Sequence, residues 1–190
     1  MDNPDTHLGR ATDAAPLPFH SVLQHLAGGV SIVTAGQEDT ITGVAVASLT
    51  SLSVNPPRLL ISLARQSSPF PTIVRDGYFG INILGSDQQA IADRFSNPRL
   101  SGRRRFEGIP WSPGPSGVPL LRQAQVAVEC AVDEIIERYE HAIIVGRPLA
   151  IAVSRRQSSL VYWNGQYVDI DRDADLDLLA AVGIPLAHVR

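Results

Sequence analysis

The residues whose types and spacing could do chemistry fall in four short stretches. In LARQSSPFPTI, residues 63–73, an apolar run ends at Leu63 and Ala64, Arg65 follows, and Ser67, Ser68 and Pro69 have the pattern of a helix start. Two hydroxyls, free N–H groups and the positive end of a helix dipole would then converge on one point, an arrangement suited to a phosphate. An ordinary capped helix has the same pattern. In TGVAVASLTSLSVNPP, residues 42–57, small side chains at Gly43, Ala45, Ala47 and Ser48 stand where a barrel strand normally packs larger ones. A planar ring lying against a strand needs such residues, so that backbone N–H and C=O groups reach its edge. The hydroxyls of Ser48, Thr50 and Ser51 add donors; tight strand packing at a dimer interface is the alternative. RRRF, residues 103–106, sets three adjacent arginines where they could meet phosphates, a partner's carboxylates or only solvent. YEHAIIVGRP, residues 139–148, starts an apolar strand at His141, whose ring could face a pocket or simply lie on the surface.

Other chemistries are disfavoured. The 190-residue chain contains no lysine, so neither a P-loop nor a Schiff-base lysine is available in cis. There is no G-x-G, hence no Rossmann fingerprint, and no G-x-S-x-G nucleophile elbow. Cys130 is the only cysteine, and His7, His20, His25, His141 and His188 show no i,i+4 pairing, so no metal site is expected. Glu129, Asp133 and Glu137 alternate onto one strand face, which reads as a solvated face and not as paired catalytic carboxylates. A net charge of −3 gives no reason to expect nucleic-acid binding. The first residues lack a signal-peptide pattern and no apolar run reaches membrane-spanning length, so a cytoplasmic protein without membrane association is expected.

The elements that must position these residues are mostly strands. Residues 1–18 are polar and proline-bearing and read as a disordered arm. Phe19, Val22, Leu23 and Leu26 have helical spacing, ended by Gly28-Gly29. Strand patterns follow at 30–34, 41–52, 59–63 and 79–84, with short helices between Ser68-Pro69 and Gly77 and over 87–95, the latter capped by Ser86 or Asp87. After an irregular stretch at 96–119, long strands are expected at 126–136 and 141–153. A hairpin is expected at 160–163 and 166–170 across Asn164-Gly165. Leu176, Leu178, Leu179 and Val182 give the tail at 171–190 a possible short helix. Many antiparallel-looking strands with a few helices imply a mainly β (α+β) fold, a β-barrel with peripheral helices, as one domain over 19–170.

In order, these stretches resemble the flavin reductase-like family of NAD(P)H:flavin oxidoreductases. The similarity runs through AGGVSIVTA, TGVAVASLTSLSVNPPRLLISL, the R-x-S-S pattern at 65–68, FGINIL, Phe95, Arg105-Phe106, VPLL, the His141 strand and LVYWNGQY. The resemblance implies a split β-barrel of the FMN-binding type that forms a homodimer, with FMN or FAD at the subunit boundary and NADH or NADPH as reductant. It implies hydride transfer from nicotinamide C4 to flavin N5, with the reduced flavin passed to a partner flavin-dependent monooxygenase. Val46, Ala47, Ser48, Leu49 and Thr50 would contact the flavin ring through their backbone, and Leu63, Ala64, Arg65, Ser67 and Ser68 would hold the ribityl phosphate. Phe95, Arg104 and Arg105 would complete the cofactor side, and His141 would lie by the nicotinamide. The chain departs from the family pattern at Ala45, Ala47 and Ala64, where side-chain donors are lost, and at Tyr139-Glu140, where the family often has Gly-Asp. A flavin or haem carrier without turnover, and a flavoenzyme reducing an organic substrate directly, are the competing readings.

Overall fold

The computed structural model describes residues 19–155 and 157–171; the expected arm and the expected tail helix lie outside them. Helix α1 (Phe19–Leu23) leads into β1 (Gly28–Gly29), β2 (Ser31–Ala35), β3 (Thr42–Val46), β4 (Thr50–Val54) and β5 (Pro57–Ala64). Then come α2 (Pro69–Asp76), β6 (Tyr78–Ile83), α3 (Gln89–Ser96), β7 (Trp111–Pro113) and β8 (Pro119–Leu121). The long hairpin β9 (Val126–Arg138) and β10 (His141–Val153) is followed by the hairpin β11 (Ser158–Trp163) and β12 (Gln166–Asp171).

Seven strands form one antiparallel sheet in the order β3-β2-β6-β9-β10-β5-β4. Strands β3 and β4, consecutive in the chain, are thus its two opposite edges. Laid flat, seven strands would hold those edges roughly 29 Å apart. The step from Val46 to Thr50 can span at most about 14 Å. The sheet must therefore curl until its edges approach, and β3 and β4 still do not pair. The result is an open, split barrel, as expected. The strand expected over 41–52 is corrected here: it is two strands, interrupted at residues 47–49 where the chain crosses from one edge to the other.

The two faces of the curled sheet bury separate cores. Val33, Ile61, Leu63, Phe79, Ile81, Val128, Cys130 and Ile144 pack inside, with Phe70 and Ile73 of α2. On the other face Ile32, Ala127 and Leu160 pack with Phe95 of α3, Phe106 and Leu121. Between the sheet and the β7–β8 hairpin lies a polar layer. The Asn82 amide donates to the Ile32 carbonyl (3.1 Å) and accepts from the Leu121 N–H (2.7 Å), and Thr34 donates to the Pro119 carbonyl (2.6 Å).

Several local expectations change. Helix α1 stops at Leu23, short of Leu26. Helix α3 is entered through a 3-10 turn at Ser86–Gln88, so neither Ser86 nor Asp87 is its cap residue. Helix α2 ends as expected, with Gly77 left-handed (φ 74°) and its N–H on the Ile73 carbonyl. The acidic trio does not share a solvated face. The β9–β10 register slips between Glu134 and Val132, which reverses the alternation around Asp133. Glu129, before the slip, is fully buried because the β7–β8 hairpin lies over it and donates the Ser116 N–H, while Asp133 pairs with Arg58 at 2.7 Å and Glu137 is exposed. The Asn164-Gly165 turn is present, both residues at positive φ (50° and 77°), as the tight hairpin turn requires.

Cys130 sits wholly inside the barrel, where burial, and then the charge of neighbouring Glu129, pushes its thiol up to about 12. The native protein at pH 8 is therefore expected to be inert to a disulfide thiol reagent, with one thiol titrating only as urea unfolds it. Rapid labelling of the folded protein would contradict this burial.

Candidate functional site

The crossing that closes the sheet also leaves its own backbone open. Among the described residues, the N–H groups of Ala47, Ser48 and Leu49 find no protein acceptor, and Ala47 and Thr50 are exposed. The Ser48 hydroxyl donates to the Ser62 carbonyl (2.7 Å), covering the β5 edge just past the last β4 pair, Thr50 with Leu60. On one side of the crossing, Val30, Ala45, Val46, Ala47, Ser96, Tyr162 and Tyr167 line a cavity of about 350 Å³. Its wall is the β11–β12 hairpin, where Tyr162 and Tyr167 stand cross-strand with ring centroids 5.4 Å apart. Burial raises the Tyr167 phenol pKa, against a hydrogen bond with Ser96 that lowers it. Small residues are required here: a Cβ on Gly28 would lie 2.6 Å from the Ala47 carbonyl oxygen.

On the other side lies the end of the β5–β10 ladder. His141 is the register partner of Ala64, so both point away from the barrel interior that Leu63 and Ala142 fill. The structure thus brings His141, distant in sequence, beside Ala64 and the Arg65–Ser68 turn. The turn itself is closed by two donors on one acceptor, since both the Ser67 N–H (2.9 Å) and hydroxyl (2.6 Å) reach the Ala64 carbonyl.

The anion-binding reading of that turn needs revision. Ser68 precedes α2 but makes no side-chain cap, because its hydroxyl accepts from Thr42 at 2.8 Å. Pro69 and Pro71 carry no N–H, and the Phe70 N–H is taken by the Ser67 carbonyl, so the helix start offers few free donors. The Gln66 and Ser68 amides remain without a protein acceptor among the described residues. Ser67 has spent its one hydroxyl proton on Ala64, whereas Ser68 still holds its own. Arg65 is engaged too: its guanidinium pairs with Glu137 (2.7 Å) and donates to the Tyr139 carbonyl (3.2 Å).

Three further residues expected at the cofactor are inside the protein. Leu63 is a core side chain. Phe95 is fully buried, in edge contact with Phe106 (5.1 Å), and lies so close to Gly43 that a Cβ there would come within 2.8 Å of its ring. Gly43 is therefore small for Phe95, not for a ligand. Arg105 is buried and donates to the carbonyls of Gly43, Leu100 and Asn97; burial draws its guanidinium below the ordinary value. Of the RRRF arginines, Arg103 and Arg104 are both exposed, Arg103 meeting the exposed Asp39 at 3.3 Å. Tyr162, Tyr167, Ser96 and Val30 were not singled out as site residues. The aromatic pair flanking the Asn-Gly turn was the signal available, since a two-residue turn fixes their register. A groove of about 950 Å³ bordered by Asp87, Leu120, Arg122 and Ala152 contains none of the expected site residues.

Arg105 ties the carbonyls of Gly43, Leu100 and Asn97 around α3, and its loss would leave a buried cluster of acceptors short of donors, so Arg105→Ala is expected to lower unfolding stability by about 3 kcal/mol. Urea denaturation measures this; a loss of flavin affinity at unchanged stability would return Arg105 to the ligand.

The model of the flavin reductase-like domain matches residues 23–171. A flavin reductase of Pseudomonas putida is 30% identical over 153 residues, covering 80% of this chain and 88% of that protein. The reductase subunit of a flavin-dependent monooxygenase from Rhodococcus jostii (strain RHA1) is 29% identical over 158 residues, 83% of this chain and 80% of its own. Among solved structures, the flavin reductase component of a bacterial two-component tryptophan halogenase superposes with a TM-score of 0.74 at 30% identity, covering 80% of this chain and 96% of that one. With its curled sheet, its open crossing and a family match over most of its length, the chain belongs to the flavin reductase-like family.

Proposed function

We propose that this chain is an NAD(P)H:flavin oxidoreductase that supplies reduced flavin to a partner monooxygenase, and that the flavin ring lies against residues 46–50. The observation that carries the placement is the crossing, with three consecutive N–H groups lacking protein acceptors beside a cavity walled by small and aromatic side chains. Its volume, about 350 Å³, is at the small end of the roughly 300–1,000 Å³ of ligand pockets. That suits a ring with its tail outside. Homologous reductases of two-component systems support the monooxygenase partner.

The residues fit a flavin, unevenly. The ring end has backbone donors and planar walls; the phosphate end has the Gln66 and Ser68 amides, the Ser68 hydroxyl and an Arg65 shared with Glu137. When bound, the flavin supplies the redox chemistry, taking hydride from the nicotinamide. The protein's part is positional and electrostatic. The free amides of 47–49 can hydrogen-bond the polar ring edge where negative charge builds, and the edge-strand geometry holds them in place. His141, exposed beside Ala64, orients the carboxamide of the nicotinamide. Hydride transfer itself needs no general acid. A weakly anchored phosphate fits a flavin that must leave after reduction. We further propose a homodimer whose second subunit covers the open side of the crossing, residues 19–170 acting as one unit, and a cytoplasmic location. No helix among the described residues is long and apolar enough to cross a membrane.

Steady-state oxidation of NADH and NADPH with FMN, FAD and riboflavin is the primary test: turnover is expected only when flavin is present. Tight flavin without turnover would favour a carrier, and an organic substrate reduced without free flavin the third reading. Ser68→Ala should weaken FMN roughly tenfold and riboflavin hardly at all, since a hydrogen bond to a charged group is lost. Ser67→Ala, whose proton is committed, should show little phosphate discrimination, and equal effects of the two substitutions would remove the phosphate from this turn. His141→Ala should raise the Michaelis constant for the nicotinamide several-fold with flavin affinity preserved. Pre-steady-state mixing that found both flavin reduction and nicotinamide dependence unchanged would make His141 a strand-end residue only.

A further inference from the structure

The turn joining β9 to β10 holds a feature that the flavin site leaves unused. Its first residue, Tyr139, is at φ 54° and is 94% exposed, the most exposed large hydrophobic side chain among the described residues. Positive φ is unfavourable for a bulky side chain, and glycine is its ordinary occupant in a two-residue hairpin turn. The other described non-glycine residues there are Glu38 and Asn164, and asparagine tolerates the conformation well. Nothing packs on the Tyr139 ring to offset the strain. Glycine would suit the fold better.

Besides the β9–β10 ladder beneath it, the strained turn is held by Arg65. Its N–H donates to the Glu140 carbonyl (2.9 Å), its guanidinium to the Tyr139 carbonyl (3.2 Å), and it pairs with the Glu137 carboxylate (2.7 Å). One residue thereby ties three of the four positions from 137 to 140 to the end of β5. Two residues beyond Tyr139 stands His141, opposite Ala64. A turn tied to the end of β5 thus carries a solvent-facing aromatic ring two residues from His141. Strain retained at such a place, without packing to explain it, points to a ligand contact.

We infer that Tyr139 is a further binding residue for the reductant: its ring stacks on a flat heteroaromatic ring of the nicotinamide nucleotide bound beside His141. This rests on the placement of the nicotinamide at His141 proposed above. Both the nicotinamide and the adenine present such a face, and stacking needs no particular hydrogen-bonding pattern. In this arrangement Arg65 is a positioning residue that holds the turn.

The test uses the full chain and Tyr139→Phe, Tyr139→Ala and Tyr139→Gly, with NAD⁺ binding followed by calorimetry and turnover followed with NADH. Tyr139→Phe should retain wild-type NAD⁺ affinity. Tyr139→Ala and Tyr139→Gly should each weaken it roughly fivefold, with a larger effect on the Michaelis constant for NADH than on kcat. Tyr139→Gly should also raise the melting temperature, because glycine relieves the strain, so lost affinity there is not a folding defect. Repeating the titration with reduced nicotinamide mononucleotide separates the rings: a persisting penalty assigns the nicotinamide, a vanishing one the adenine, and either supports the stack. Unchanged NAD⁺ affinity in Tyr139→Gly overturns the inference. So does dissociation of a dimer by Tyr139→Ala in sedimentation, which would make the ring an interface residue. Calorimetry decides these points even if the wild type fails to oxidise NADH with any flavin, a failure that would count against the reductase reading alone.

Discussion

The three-residue crossing between β3 and β4 is the constraint on which the rest of the molecule depends. Because it is far shorter than a flat seven-stranded sheet is wide, it forces the sheet to curl. Curling divides the side chains into an inside core and an outside core. The same crossing cannot join a ladder, since it runs from one edge to the other, so its N–H groups stay available. The open backbone is thus a by-product of closing the fold.

Polar groups divide the work around this frame. Every side-chain cation other than histidine is an arginine. The planar guanidinium, with five donors, can satisfy several carbonyls at once, which a lysine ammonium does less well. Arg105 does this beneath α3, Arg94 beside it spans the carbonyls of Arg104 and Arg105, and Arg65 does it at the β9–β10 turn. Of the charge run at 103–105, Arg105 is buried and holds an irregular segment in place, while Arg103 and Arg104 are exposed. At the 65–68 turn few donors are left over, namely the Gln66 and Ser68 amides and the Ser68 hydroxyl.

Much of this was legible in the sequence, because local rules govern it. Strand alternation, the Asn164-Gly165 turn and the Gly77 helix end depend on residues within a turn of one another, and these elements lie close to where the patterns put them. The absence of lysine and of paired histidines narrowed the chemistry, and the ordered motifs pointed to the family that the comparisons support.

What only the tertiary structure decided was the fate of each polar or aromatic group once distant segments met. Glu129, which alternation alone places on a wet face, is buried because the β7–β8 hairpin folds over that face and donates the Ser116 N–H to it. Phe95 and Arg105, which motif order places at a ligand, face inward because α3 and the 102–106 turn close over β3. Tyr162 and Tyr167 become cavity walls only because β11–β12 folds against Ala45 and Ala47. The physical reason is common to all three. Backbone preference is a short-range property written into neighbouring residues, whereas burial and hydrogen-bond partnership belong to pairs far apart in the chain and exist only when the sheet has curled.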